Sequence, residues 1–184
     1  MINIQSLTTL TLSDFERTAT GYTAHKKYVV TYADTGAEVS FRLEAVALER
    51  PFHKEWTFDD ETVARYTSML SEGYSFGAYD NDLLIGLIIA EPQTWNHSLW
   101  VWEFHVAADY RHEGIGRRLM ERVAAHAKES GFRILVCETQ NTNADGIDIY
   151  RRLSFRLEGV DISYYTNEDY PDGEVAVFMK RRLV

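Results

Sequence analysis

The sequence predicts an α+β domain with a mixed, mostly antiparallel β-sheet. Three consecutive β-rich segments between residues 74 and 106 are separated by short turns, which join antiparallel neighbours. The third segment is followed by an amphipathic helix and another β-rich run, and such a strand–helix–strand unit joins parallel neighbours in a right-handed crossover. No repeat, low-complexity segment or linker interrupts the 184 residues. We therefore expect one domain over 1–184.

Composition indicates a globular domain and argues against two classes of partner, membranes and nucleic acids. A hydrophobic fraction of 45% and an aromatic fraction of 13% are typical of a globular domain. The longest apolar run, residues 83–90, is far shorter than the roughly 20 residues of a membrane-spanning helix, and the N-terminus has no secretory pattern, so no membrane partner is expected. The net charge of −9 argues against a nucleic-acid partner and is compatible with a cationic small molecule.

Cysteine and histidine usage adds two expectations. The single cysteine, Cys137, allows no disulfide within the chain and agrees with a cytoplasmic location. It lies in an apolar run, where a cysteine usually packs as a small hydrophobic residue. The six histidines show no metal-ligand spacing, so no metal is expected.

The N-terminal part predicts a hairpin. Residues 1–25 carry little pattern beyond a short helix start near Ser13. Residues 27–32 and 39–48 are rich in β-formers and flank an Asp-Thr-Gly turn signal. Pro51 is expected to end the second strand, because proline cannot donate a hydrogen bond to a neighbouring strand.

The middle of the chain predicts a helix and then three strands. The helix covers 58–72, with Asp59 or Asp60 as its cap and Gly73 as its end. The three strands cover 74–79, 83–90 and 98–106. The second of them is apolar on both faces and should lie inside the sheet.

The C-terminal half contains the clearest helix, over residues 115–130. Its apolar residues Ile115, Leu119, Val123 and Ala127 recur at i+4, and Gly131 ends it. The remaining predicted elements are a strand over 132–139, a helix over 143–153, and strands over 155–165 and 174–183.

One segment of this pattern predicts an anion site. The strand that ends at Val106 leads into Arg111-x-x-Gly114-x-Gly116, which opens the clearest helix. The first N–H groups of a helix have no partner within it, the helix dipole is positive there, and glycines let a phosphate approach the backbone. The alternative is an ordinary helix cap with a solvated basic face.

This motif resembles the acetyl-CoA-binding motif of the GNAT N-acetyltransferases. The resemblance runs in the expected order from about residue 74 to the end of the chain. Further matches resemble the streptothricin acetyltransferase branch, namely Trp95-Asn96, Glu138-Thr139-Gln140, Asn143, Tyr150, Phe155 and Gly159-Val160-Asp161. One departure is Ser154, where many relatives carry glycine before the aromatic residue. The N-terminal third matches only loosely, so the resemblance implies a variable N-terminal part over 1–57 and a cofactor-binding and catalytic core over 58–184.

The resemblance implies that acetyl-CoA is the cosubstrate. The residues implied to cradle its pyrophosphate are Arg111, His112, Glu113, Gly114, Ile115, Gly116 and Arg117. The family splays the strand ending at Val106 from its parallel neighbour, so that the backbone of Phe104, His105 and Val106 pairs with the pantetheine arm. Asn143 is implied to bond the same arm, or simply to cap its helix.

The resemblance also assigns catalytic roles. The Val106 amide is expected to donate to the thioester oxygen, where charge develops in the transition state. Glu103 is the first candidate for the base that deprotonates the amine, and it could instead hold the ammonium or face solvent. His105 is a weaker candidate for the base. Tyr150 is expected to protonate the leaving thiolate, with core packing as its alternative.

The preferred acceptor is a primary amine of a small cationic antibiotic of the streptothricin type, attacked directly in a ternary complex. Two acidic groups could attract it or form an ordinary solvated surface. They comprise Glu55, Asp59, Asp60 and Glu61, and Glu168, Asp169, Asp172 and Glu174. The rival acceptors are a polyamine and a protein or peptide amine, and the rival class is a non-catalytic acetyl-CoA-binding module. A nucleotide-phosphate site is weakest, because no Walker lysine–hydroxyl pair follows the glycines. A homodimer fits the fold, although no sequence patch demands one.

Overall fold

The computed structural model describes residues 1–183 and divides the chain into two compact units. The first unit contains residues 1–21, 55–137 and 181–183, and the second contains residues 22–54 and 138–180. The expectation of one domain over the whole chain stays a prediction.

Strands and α-helices make up most of residues 1–183. The strands are β1 (Asn3–Ser6), β2 (Tyr22–Asp34), β3 (Val39–Lys54), β4 (Phe76–Asp80), β5 (Leu83–Gln93), β6 (Ser98–Val106), β7 (Ile134–Gln140), β8 (Arg156–Asp161) and β9 (Ala176–Arg182). The helices are α1 (Leu12–Thr18), α2 (Asp60–Met69), α3 (Ile115–Glu129) and α4 (Ala144–Arg152). Among residues 1–183, no helix combines the length and apolar character that a membrane span requires.

The first unit holds a mostly antiparallel sheet in the order β1–β4–β5–β6–β7. Neighbouring strands are antiparallel, except that β6 and β7 are parallel. This arrangement confirms the mixed sheet expected from the sequence. Strand β5 lies inside it, and its residues 84–90 are all buried. Helix α3 buries the apolar face that the i+4 repeat predicts, including Ile115, Leu119 and Val123.

Strand β6 has two features that shape its C-terminal end. A register shift against β5 places Glu103 opposite Ile89 and Val101 opposite Ala90, so Trp102 is an extra residue in β6. The parallel register with β7 runs from Ser98 to Val101 and extends no further. Residues 102–106 therefore lie beyond the parallel pairing, as expected for a splayed strand pair.

The second unit contains the β2–β3 hairpin, residues 138–140 of β7, and the antiparallel β8–β9 pair. Helix α4 packs on the hairpin, where Asp148 forms an ion pair with Lys26 and Arg151 donates to the Tyr28 hydroxyl. Asn141 links these elements through buried hydrogen bonds, donating to the Tyr28 carbonyl at 2.8 Å and accepting from the Val175 amide at 2.8 Å.

The prediction that Pro51 ends the hairpin was wrong, since β3 continues to Lys54. The register jumps from Lys26–Ala47 to Ala24–Phe52, so Pro51 lies in an irregular stretch without direct partners. A proline costs no ladder hydrogen bond at such a bulge. The sequence also missed β1, which is too short to show alternation.

Ser154 occupies the turn between α4 and β8 with a φ of 68°, in the left-handed region. A residue with a Cβ is strained there, which explains why glycine suits this position. We expect Ser154→Gly to raise the free energy of unfolding by about 0.5–1 kcal/mol. This value is the gain from relieving the backbone strain minus the loss caused by the greater conformational entropy of glycine in the unfolded chain.

Urea denaturation checks this prediction. Ser130, with a φ of −82°, provides the matched control, because glycine relieves no strain there and should be neutral or destabilising. Equal losses of stability in the two variants would contradict the assignment of strain to Ser154.

Candidate active site

The loop between β6 and α3 has the form of an anion site. After β6 ends at Val106, a short 3₁₀ turn over Ala108–Tyr110 leads to an exposed loop of residues 111–114. Helix α3 then begins at Ile115, and no side chain among residues 1–183 caps it. Its first amides and the positive end of its dipole are therefore available to an anion.

The two glycines of the loop have different roles. Gly114 has a φ of 79°, and a Cβ there would meet nothing within 4 Å, so the space beside it is open. A Cβ on Gly116 would lie 3.0 Å from Cζ of Phe104 and 3.7 Å from Cγ2 of Val106. Gly116 therefore lets α3 pack closely on β6, a role that the sequence-based interpretation did not distinguish from phosphate approach.

Arg111 fixes the loop to the end of β6. Its Nε donates to the Val106 carbonyl at 3.1 Å, and its Nη2 donates to the Thr20 hydroxyl at 3.1 Å. His112, with a φ of 67°, and Glu113 are exposed beside it. Arg111 thus holds the loop in place, while Arg117 is exposed in the first turn of α3.

The side chains at the end of β6 divide between two faces. Phe104 and Val106 approach α3 at Gly116, whereas Glu103 contacts α2. Trp102 also contacts α2, because its indole lies 5.7 Å from the Arg65 guanidinium. The extra residue in β6 explains how neighbours along the strand reach the same side.

Glu103 is held at both carboxylate oxygens. The Tyr66 hydroxyl of α2 donates to Oε1 at 2.5 Å, and Nε2 of His105 lies 2.5 Å from Oε2. The side chains of Glu103 and His105 are each 15% exposed, so the pair is mostly buried but retains some contact with solvent. The structure therefore brings together the two candidates for the base.

Tyr66 is a site residue that sequence reasoning missed. In the sequence Tyr66 falls at helical spacing with apolar residues such as Val63 and Leu70, which predicts only a core position, and it is buried. Burial, followed by the Glu103 charge, raises the pKa of its phenol above the ordinary value, so the hydroxyl keeps its proton and acts as a donor. No signal in the sequence pairs Tyr66 with Glu103, because the contact depends on the bulge in β6.

The two remaining candidates belong to the second unit. Tyr150 is half-buried on α4, and its ring meets that of Phe155 edge-on with centroids 5.5 Å apart. Asn143 caps α4 by accepting from the Gly146 amide at 3.0 Å and donates to the Thr139 hydroxyl at 3.0 Å. A Cβ on Gly146 would collide with Asn143, which explains a glycine inside this helix. The capping alternative for Asn143 is thus observed, and its contact with pantetheine stays a prediction.

Several carboxylates considered for acceptor binding have local structural partners. Asp59 caps α2 by accepting from the Thr62 amide at 2.8 Å. Asp169 is buried and accepts from the backbone amides of Tyr165 and Thr166 at 2.7 and 2.9 Å. Glu174 forms an ion pair with Lys54. These three residues are therefore explained without an acceptor.

A polar cluster in the second unit joins Glu138, Gln140 and Tyr165. The Tyr165 hydroxyl donates to Glu138 and accepts from Nε2 of Gln140 at 3.1 Å. Burial and then the Glu138 charge raise the pKa of Tyr165. Burial, opposed by the Thr142 hydrogen bond and reinforced by the charges of Glu174 and Glu138, raises the pKa of Tyr22 to about 12. The carboxylates of Glu138 and Glu174 therefore contribute negative charge next to these two phenols.

Comparison with known proteins identifies the class. The sequence model of the acetyltransferase (GNAT) family matches residues 43–155, which include β6, the 111–117 loop, α3 and Tyr150. The chain therefore belongs to the GNAT acetyltransferase family, and the resemblance inferred from the Arg111–Gly116 motif is confirmed.

Particular relatives narrow the comparison. The chain is 37% identical over 100 residues to streptothricin acetyltransferase of Streptomyces lavendulae, a match that covers 54% of this chain and 52% of the relative. It is 29% identical over 130 residues to streptothricin acetyltransferase A of Bacillus subtilis (strain 168), covering 70% and 72% of the two chains. The crystal structure of nourseothricin acetyltransferase superposes with a TM-score of 0.77 and 28% identity, covering 100% of this chain and 99% of the other.

Proposed function

We propose that the protein is an acetyl-CoA-dependent N-acetyltransferase that acts on a primary amine of a small cationic acceptor of the streptothricin type. The observation that carries the proposal is the uncapped N-terminus of α3, fixed by Arg111 to a strand end that bears Glu103. This arrangement places an anion cradle, at residues 111–117, and a carboxylate, that of Glu103, on the same stretch of backbone. Family membership and the names of the relatives support the same chemistry.

The cradle fits a diphosphate. The open space at Gly114, the uncapped amides of α3 and the exposed Arg117 match the converging N–H donors and positive charge that such a group requires. We assign pyrophosphate binding to residues 111–117. Acetyl-CoA supplies the activated acetyl group as a thioester.

The end of β6 is suited to the thioester end of the cosubstrate. Because the parallel pairing with β7 ends at Val101, the backbone of Phe104, His105 and Val106 is proposed to pair with the pantetheine amides. The Val106 amide is proposed to donate to the thioester oxygen as negative charge develops on it.

Two side chains are proposed to carry out the proton transfers, one from the amine and one to the leaving thiolate. An alkyl ammonium has a pKa of roughly 10 and must lose a proton before it can attack, and Glu103 is proposed to serve this step. Tyr150 is proposed to protonate the departing thiolate of coenzyme A, on the strength of the family resemblance. Cys137 is fully buried, which supports direct attack of the amine rather than transfer through an acyl-cysteine.

The proposed acceptor rests on the negative charge of the protein and on the names of its relatives. The net charge of −9 and the Glu138 carboxylate favour a polycation over a neutral amine. Streptothricin carries such amines on a β-lysine chain. A polyamine and a peptide amine remain the rival acceptors of the same class.

An amine panel tests the function. Purified protein is incubated with acetyl-CoA and either streptothricin, spermidine, a lysine peptide or no amine, and release of free thiol is followed. We expect streptothricin to give the largest kcat/KM. A larger kcat/KM with spermidine or the peptide would show that streptothricin is not the preferred acceptor. If no amine led to thiol release although coenzyme A bound, the protein would be a non-catalytic binding module.

A further inference from the structure

We infer that His105 is the group that receives the amine proton, through Nδ1, and that Glu103 and Tyr66 form a chain that positions it. The inference rests on the proposed acetyltransferase function and changes the role of Glu103 from proton acceptor to positioning residue. The three side chains form a continuous hydrogen-bonded chain. The Tyr66 hydroxyl lies 2.5 Å from Oε1 of Glu103, and Nε2 of His105 lies 2.5 Å from Oε2.

The hydrogen-bond directions follow from Tyr66. Its phenol keeps its proton and donates it to Oε1 of Glu103, so this carboxylate is an acceptor on that side. An ionised carboxylate has only acceptor sites, and Nε2 of His105 must therefore be the donor to Oε2. In the neutral ring this leaves the lone pair on Nδ1.

The position of Nδ1 suits a base. Within residues 1–183 it has no hydrogen-bond partner, and the side chain of His105 retains 15% exposure. The ring makes a near-perpendicular contact with that of Phe58, and the two ring centroids are 6.5 Å apart. Both oxygens of Glu103 already accept a hydrogen bond, whereas Nδ1 of His105 accepts none from residues 1–183.

Glu103 is the charged group in direct contact with His105. Glu103 lies on the same strand, and Glu91 of β5 accepts from the Trp102 indole at 2.9 Å. Arg65 of α2 opposes them, but its guanidinium is stacked 4.6 Å from the Tyr66 ring centroid. The Glu103 carboxylate is therefore the counter-charge for the imidazolium that forms when the amine proton is transferred.

The proton and electron balance is complete. One proton leaves the substrate ammonium for solvent, the amine nitrogen forms a bond to the thioester carbon, and a second proton passes from nitrogen to Nδ1 of His105. The carbon–sulfur bond then breaks with its electron pair on sulfur, which takes up a proton from Tyr150 in the role proposed above. Tyr150 regains its proton from solvent, and His105 returns its proton to solvent.

Tautomer measurement tests the inference directly. In protein labelled with ¹⁵N at histidine, at a pH where the ring is neutral, we expect His105 to carry its proton on Nε2. A proton on Nδ1 would overturn the assignment, whether or not the enzyme is active on any amine. The measurement therefore separates failure of this inference from failure of the proposed function.

Kinetics with variants provide the second test. We expect His105→Ala to lower kcat by about 100-fold and to regain activity with added imidazole, because general base catalysis contributes about that factor. Glu103→Gln should lose less, since its amide oxygen still accepts the Nε2 proton. His25→Gln is the matched control, because His25 is exposed on β2. Two results would instead assign the general base to Glu103. One is full activity in His105→Ala, and the other is a loss of kcat in Glu103→Gln that exceeds the loss in His105→Ala and is not rescued by imidazole.

Tyr66→Phe gives a readout that packing alone would not change. Loss of its hydrogen bond leaves more of the Glu103 charge to stabilise the imidazolium. The acidic limb of the kcat/KM profile should therefore move to higher pH. An unchanged limb in a folded variant would overturn the positioning role of Tyr66.

Discussion

Replacement of Gly114 by valine is expected to lower the affinity for coenzyme A by about 100-fold or more, because two charge-assisted hydrogen bonds of about 1.5 kcal/mol each correspond to that factor. The side chain would enter the open space next to the first amides of α3, where we propose that pyrophosphate binds. Isothermal titration with coenzyme A measures the change.

Gly73 provides the matched control for backbone strain. It has a φ of 82°, and a Cβ there would also meet nothing within 4 Å. Gly73→Val and Gly114→Val should therefore lose similar stability, roughly 1–2 kcal/mol, while only the second loses coenzyme A affinity. Full affinity in Gly114→Val would refute the cradle, and equal losses of affinity would assign the effect to general strain.

Replacement of Tyr150 by phenylalanine is expected to lower kcat by about 100-fold with little change in coenzyme A affinity, because a general acid contributes about 10²–10⁴ to the rate. The aromatic ring that meets Phe155 is retained, so helix α4 should keep its packing. Steady-state kinetics with the best amine of the panel, together with titration of coenzyme A, measure the two quantities separately.

Tyr74→Phe is the control for loss of a hydroxyl. Tyr74 is half-buried, and its ring packs against those of His126 and Phe132 at centroid distances of 5.4 and 5.2 Å. This variant should keep the wild-type kcat. If Tyr150→Phe also kept it, Tyr150 would be a packing residue, which was the alternative that the sequence left open.

The sequence predicted those elements whose pattern is local. The i+4 repeat from Ile115 gave α3 and its buried face, and the apolar run at 83–90 identified the interior strand β5. The glycine motif located the helix start because glycine has a direct backbone meaning there. The family of the chain could be recognised from these same residues.

What the sequence did not predict depends on register or on contacts distant in the chain. The bulge that turns Glu103 towards α2 arises from pairing with β5 and leaves no signature in β6 itself. Tyr66 could not be separated from core residues at helical spacing, because its partner lies 37 positions away. Gly116 likewise needs its neighbour Phe104 before its packing role is visible.

The most direct test of direct acetyl transfer is a single turnover with isotopically labelled acetyl-CoA and the preferred amine, quenched during the reaction. Mass spectrometry then follows the label in both the amine and the intact protein. We predict that the label appears in the amine as an amide and never in the protein. Label on the protein during turnover, or an unlabelled amine after complete release of thiol, would contradict direct N-acetylation.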